Sequence, residues 1–266
     1  MTATPATWTL DEMRAWRPPD RLTVSQWADL HRVLDAKTAA EAGRYSSSRT
    51  PYAREWMNSA NLAHVRQVTI IAGTQLGKTE TLNNVLGYAI HQDPAPAMIV
   101  VPRNQDVQLM AQRRLQPMVD ASPALCAELT GNEHDVKNRE LCFRRSIVYL
   151  RSSQSPADLA SVPVRYLLAD EVDKFPKWAG HEAAPLDLAK ERQRTFWNSI
   201  AYVTTTPTTR DATGWTEYED GDRRRYFVPC PTCDAFQVLQ WGQVRYPKGI
   251  DSRTMRREHC ATYECA

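Results

Sequence analysis

The octet Ala72-Gly73-Thr74-Gln75-Leu76-Gly77-Lys78-Thr79 constrains the fold of this chain more than any other stretch. It follows the β-branched run Val68-Thr69-Ile70-Ile71 and precedes a segment with helical spacing from Thr79 to His91. A glycine-rich turn between a buried strand and a helix start aims successive backbone N–H groups at one point, where phosphate oxygens fit. Gly73 and Gly77 are the positions expected to let the backbone turn tightly. Lys78 is then expected on the β- and γ-phosphates of a nucleotide, and the Thr79 hydroxyl on Mg²⁺. The octet departs from the strict phosphate-loop pattern only in having Ala72 first.

Other apolar runs repeat the same architecture. Ala97-Met98-Ile99-Val100-Val101, Ser146–Leu150, Val164–Ala169 and Ser199–Thr204 read as further strands, with a helix expected from Asp106 to Val119. Strands alternating with helices predict an α/β fold, a mostly parallel central sheet flanked by helices. The run Tyr166-Leu167-Leu168-Ala169 ends in Asp170-Glu171, which delivers two carboxylates to the C-terminal edge of a sheet, where ligands bind in open α/β folds. Asp170 is the expected Mg²⁺ ligand and Glu171 the general base for the attacking water. The strand ending Val203-Thr204-Thr205-Thr206 offers hydroxyls, on Thr205 and Thr206, that could couple the γ-phosphate to movement. A threonine-rich strand end without such a role fits equally well. Tyr52, ahead of the loop, is a candidate to stack on the base, with core packing the competing account.

Hydrophobic residues make up 42% of the 266 and charged residues 24%, enough for a real core. The formal charge of +2 is nearly balanced, so affinity for nucleic acid has to come from local patches. No apolar run is long enough to span a bilayer, and the Met1-Thr2-Ala3 start lacks the pattern of a signal peptide, so a cytoplasmic location is expected. Cys126 and Cys142 stand alone and read as buried small hydrophobes. The other four cysteines cluster near the end of the chain. Cys230-Pro231-Thr232-Cys233 has the spacing of a zinc knuckle, and Cys265 is the expected third ligand, opening a second knuckle whose last ligand is expected beyond Ala266, with Cys260 or His259 as substitutes for that last ligand. Arg103, Arg113, Arg114, Arg165, Arg192 and Arg194 are all candidates to meet the γ-phosphate. The expected organisation is an N-terminal helical segment over 1–50, a phosphate-loop ATPase domain over 51–225, and a partial zinc-ribbon-like module over 226–266. The segment Ala42–Ser48 reads as an exposed loop.

These motifs resemble the lambda-type terminase large subunit, the DNA-packaging motor of tailed bacteriophages. The likeness rests on Leu22-Thr23-Val24-Ser25-Gln26-Trp27-Ala28-Asp29, Ser48-Arg49-Thr50-Pro51-Tyr52 and the loop Gly73–Thr79. It continues through Ser152-Ser153-Gln154-Ser155-Pro156-Ala157-Asp158-Leu159-Ala160-Ser161, Asp170-Glu171-Val172-Asp173 and Val228-Pro229-Cys230-Pro231-Thr232-Cys233. The resemblance implies a RecA-like ATPase, using ATP and Mg²⁺ in the host cytoplasm, that drives double-stranded DNA into a capsid. It also implies a small terminase subunit and a portal protein as partners, and assembly as a homo-oligomer. The family's nuclease domain is expected to be absent from this chain. Two other readings of the same residues remain: a helicase-like DNA-dependent NTPase, and a catalytically silent nucleotide- or DNA-binding fragment.

Overall fold

The computed structural model describes residues 8–9, 13, 21–37, 39–132, 135, 139–178 and 183–265. The chain divides into two compact units, Met1–Gly221 and Asp222–Ala266. Part of the helical segment expected over 1–50 lies outside the described residues.

In the first unit, helix α1 (Val24–His31) begins at Thr23, whose hydroxyl accepts from the Gln26 amide at 3.3 Å while the Gln26 side chain accepts from the Thr23 amide at 2.9 Å. This reciprocal capping box satisfies two donors that a helix start leaves open. A two-residue antiparallel ribbon, Val33–Leu34 with Gly43–Arg44, follows. Next come α2 (Tyr52–Asn58), β1 (Gln67–Ile71) and α3 (Lys78–His91), then β2 (Ala97–Val101) and α4 (Asn104–Met110). The single helix expected over 106–119 is interrupted by a π turn, Ala111–Leu115, before α5 (Gln116–Ala121). The break precedes Pro117, which has no N–H to give a preceding carbonyl. The unit closes with β3 (Glu140–Cys142), β4 (Ile147–Ser152), β5 (Tyr166–Ala169), α6 (Pro185–Glu191), β6 (Ile200–Thr205) and α7 (Thr213–Glu219).

The fold is α/β. Six strands form one sheet in the order β1-β6-β5-β2-β4-β3. The first five are parallel and β3 pairs antiparallel with β4, so the sheet is mixed at one edge. The strand period of two sorts the core into faces. Ala97, Ile99, Val101, Tyr166, Leu168, Ile200 and Tyr202 pack with Trp27, Leu82, Leu86 and Ile90 on one face, while Met98, Val100, Leu167 and Ala201 pack with Leu159, Val164 and Ala189 on the other. β2 and β5 are wholly buried, as continuous apolar runs in a parallel sheet should be. β1 is only partly buried, because it pairs with β6 alone among the described strands.

Three expectations fail on burial. Ser47, in the segment read as an exposed loop, is buried: its amide and hydroxyl donate to the Asp29 carboxylate at 2.5 and 2.7 Å, and Arg54 donates to its hydroxyl at 2.8 Å. Cys126 is exposed and Cys142 only half-buried, so neither is the fully buried hydrophobe its isolation suggested. Cys126 sits at the open end of a one-turn helix, and Cys142 on the edge strand β3.

The second unit has short elements only. It contains the ribbons β7 (Val228–Pro229) with β8 (Phe236–Gln237) and β9 (Val244–Arg245) with β10 (Thr262–Tyr263), and helix α8 (Ser252–Glu258). Among the described residues, no helix is long and apolar enough to cross a membrane.

Candidate nucleotide site and cysteine cluster

Parallel pairing puts the C-terminal ends of β1, β6, β5, β2 and β4 at one edge of the sheet. The segments that leave them are 72–77, the threonine run at 206, the acidic pair at 170–171, Pro102-Arg103, and the Ser153-Gln154-Ser155 loop. Ser153 stitches two of these together, donating its hydroxyl to the Pro102 carbonyl at 2.8 Å.

The loop from β1 to α3 takes left-handed backbone at Gln75 (φ 61°) and Gly77 (φ 79°). Gly73, which the sequence also marked for that role, is not in the left-handed region. Gly77 is needed for conformation and not for space, since a Cβ there would meet nothing within 4 Å. Lys78, the first residue of α3, is 5% exposed. Its ammonium donates to the carbonyls of Ala72 and Gly73 at 2.9 and 3.0 Å and to the Thr206 hydroxyl at 3.0 Å. Those three acceptors match its three N–H bonds.

Strand alternation explains the other contacts. Thr204 continues the face of Ile200 and Tyr202 and donates to Asp170 Oδ1 at 2.6 Å, while Thr79 donates to Asp170 Oδ2 at 3.1 Å. Asp170 is 6% exposed. Burial raises its carboxyl above the usual range and the Glu171 charge adds to that, against the two threonine hydroxyls and Lys78. Glu171 stands at φ 56°, and its Oε1 accepts from the Thr206 hydroxyl at 3.1 Å with Lys78 Nζ at 3.9 Å. One carboxylate therefore faces the start of α3, and the other faces the lysine through a hydroxyl.

Lys78, Thr79, Asp170, Glu171 and Thr206 are thus brought to one place. Thr205 points to the opposite face of the sheet and accepts from the Asp173 amide at 3.3 Å. Tyr52 is half-buried at the start of α2, its ring edge-on to Trp56 with centroids 5.2 Å apart, and both pack against the main core. Of the six arginines singled out, Arg103 follows β2 at the loop-bearing edge and is bound to Asp106 at 3.0 Å. Arg165 leads into β5 at the far edge and grips Asp93 at 2.7 and 2.5 Å. Arg113 and Arg114 lie on the π turn, Arg192 binds the Ala160 carbonyl at 3.1 Å, and Arg194 pairs with Glu191 at 2.8 Å.

Sequence reasoning missed Thr204 as the closest partner of Asp170. Its parity along β6 was the available signal. It also missed Arg32, which is buried and donates to Asn84 and Glu80 at 2.9 Å, anchoring the N-terminal segment to α3 just beyond Lys78 and Thr79.

In the second unit the sulfurs of Cys230, Cys233 and Cys265 lie within 4.8 Å of one another, Cys233 and Cys265 at 3.6 Å. The backbone amides of Thr232 and Cys233 point at the Cys230 sulfur and bring that thiol down to about 7, whereas the two neighbouring sulfurs push Cys265 up to about 11. Cys260 stands apart and directs its thiol to the Met255 carbonyl at 3.8 Å.

Comparison with known proteins decides the family. The model of the family described as phage terminase large subunit gpA, ATPase domain, matches residues 39–266. The chain belongs to this family. It is 22% identical over 250 residues to the terminase large subunit of Escherichia phage lambda, covering 90% of this chain and 38% of that protein. To the corresponding subunit of Enterobacteria phage P21 it is 23% identical over 240 residues, covering 87% of this chain and 37% of that protein. The chain thus spans less than two fifths of the length of these terminase subunits. The crystal structure of the bacteriophage HK97 large terminase shares the fold, with a TM-score of 0.57 and 13% identity over 74% of this chain and 40% of that one.

Proposed function

We propose that this terminase ATPase domain binds and hydrolyses ATP at the loop-bearing edge of its sheet, and that the hydrolysis drives double-stranded viral DNA into a capsid. The observation that carries the reading is the convergence of Lys78, Thr79, Asp170 and Glu171 at the C-terminal edge of parallel strands. The loop 72–79 is a phosphate-binding loop on this reading, and the sheet that of a RecA-like P-loop NTPase. Support comes from β6 lying between β1 and β5, which sets its threonines between lysine and carboxylates.

Phosphate oxygens would replace the loop carbonyls and the Thr206 hydroxyl around Lys78, exchanging neutral acceptors for charged ones. Mg²⁺, when bound, would neutralise charge on the β- and γ-phosphates, held by Thr79 and Asp170, whose oxygens already adjoin. Glu171 would take the proton of the attacking water, and Thr205 and Thr206 would relay the state of the γ-phosphate. Residues 51–225 carry this activity. The small terminase subunit, the portal protein and further copies of this chain are the partners proposed, with the host cytoplasm as the setting. Tyr52 and Trp56 pack against the core, which favours a structural role for the pair over base stacking.

The test is nucleotide binding. Lys78→Ala should weaken ATP binding at least about 100-fold, the scale on which a buried charge partner acts, while leaving the fold intact by circular dichroism. Binding at wild-type affinity would remove the loop from the site.

For the small module we propose zinc on Cys230, Cys233 and Cys265. Zn–S bonds of about 2.3 Å set tetrahedral sulfur spacings near 3.8 Å, and the Cys233–Cys265 separation of 3.6 Å fits. Metal analysis after purification with zinc should find up to about one ion per chain, lost in Cys233→Ser. Zinc retained by that variant, or none bound by the wild type, would contradict the assignment.

A further inference from the structure

The acidic turn holds a third carboxylate, Asp173, to which the chemistry above gives no part. It sits in the single 3-10 turn Val172–Lys174 that follows Glu171. Its amide donates to Thr205 Oγ1 at 3.3 Å. Its carboxylate accepts from the Thr208 hydroxyl at 2.8 Å through one oxygen and from the Gly214 amide at 2.8 Å through the other. Gly214 lies in the first turn of α7, where a larger residue would have to displace its neighbours. A Cβ would come within 2.3 Å of Thr205 Cγ2 and 2.9 Å of Asp173 Oδ1.

These contacts close a ring. Glu171 is bound by Thr206, its amide donating to Oε2 at 3.4 Å and its hydroxyl to Oε1 at 3.1 Å. Two residues on, Asp173 is bound by Thr205, Thr208 and Gly214, on the same segment that carries Thr206. That segment enters α7, and α7 returns to β1 through Glu217, which accepts from Gln67 at 2.5 Å. β1 in turn delivers the loop that ends at Lys78. Within this ring Glu171 occupies left-handed backbone, a region that L-residues other than Asn and Asp enter at a cost. Strained backbone persists where its surroundings over-determine it. On its N-terminal side the turn is held through Asp170, which accepts from Thr204 and Thr79 and whose amide donates to the Val100 carbonyl at 2.9 Å, and on its C-terminal side Asp173 supplies the side-chain restraint.

We propose that Asp173 is a positioning residue: it holds the Glu171 turn in register with Thr206 and ties that turn to α7. This rests on the reading of Glu171 as general base. Loss of the restraint should let the turn relax and move the Glu171 carboxylate away from the reacting water, leaving Lys78 and Thr79 in place.

The test compares ATP turnover, binding of a fluorescent ATP analogue and thermal melting for the wild type, Asp173→Ala and Asp173→Asn, with double-stranded DNA present. Asp173→Ala should lower kcat by about 10- to 100-fold, the cost of misplacing a catalytic group by about an ångström, with nucleotide affinity within about twofold. Asp173→Asn keeps an oxygen for the Gly214 amide and should recover most of kcat. Unchanged kcat in the alanine variant overturns the proposal, as does an asparagine variant that melts normally without recovering turnover. If the alanine variant does not fold, Thr208→Val carries the test: it removes one donor from the same carboxylate and should lower kcat several-fold, and an unchanged kcat overturns the proposal. A turnover-independent arm follows amide exchange in residues 213–219. ATP should alter it in Glu171→Gln protein and not in the Glu171→Gln, Asp173→Ala double variant. Glu171→Gln also separates the two claims, since full turnover by that variant would remove the base assignment itself.

Discussion

Asp170 is a buried carboxylate that accepts from two threonine hydroxyls, with the charge of Glu171 beside it. Its raised pKa has a definite sign for stability. The folded chain holds the proton more tightly than the unfolded chain, so this group favours folding at low pH and disfavours it as pH rises through the folded value. Asp170→Asn removes the penalty and keeps both threonine contacts within reach. We predict a higher melting temperature for that variant at pH 7, about 2–4 °C for each kcal/mol recovered, and a gain that shrinks toward pH 4. A variant that melts lower than the wild type at pH 7 would mean that the charge is compensated in the fold. Residue types alone marked the lysine, the Thr79 hydroxyl and the acidic pair. They could not mark Thr204 or Asp173, because those roles depend on which strand stands between β1 and β5.

At the scale of elements, the buried parallel strands were legible because burial on both faces demands uninterrupted apolar runs, and β2 and β5 supply them. β3 was not, since three residues ending at Cys142 carry too little pattern to separate from a loop. The π turn also escaped, because it reflects a missing N–H at Pro117 and not a change in hydrophobic period. Ser47 was misplaced because its hydroxyl is buried against Asp29, a residue 18 positions away. Helix packing shows a similar long-range constraint. Trp27 of α1 is fully buried against α3, where a Cβ on Gly87 would come within 2.2 Å of its ring. Gly87→Ala forces that ring to move, so we predict a loss of about 1–3 kcal/mol on chemical denaturation. An unchanged midpoint would show that α1 shifts on α3 at little cost.

At the scale of the whole molecule, the charge is unevenly shared. Residues 222–266 hold eight arginines and lysines against five aspartates and glutamates, a net of +3 in a chain whose formal total is +2. The unit with the cysteine cluster is therefore the basic one, and the unit with the sheet carries the catalytic candidates. The sheet edge is where the account stands or falls. The most direct measurement is ATP hydrolysis by the wild type and Glu171→Gln, with and without double-stranded DNA, alongside nucleotide binding by both. We predict binding within about twofold and turnover lowered about 100-fold or more in the variant, the range of a lost general base. Turnover by Glu171→Gln at the wild-type rate would contradict the account.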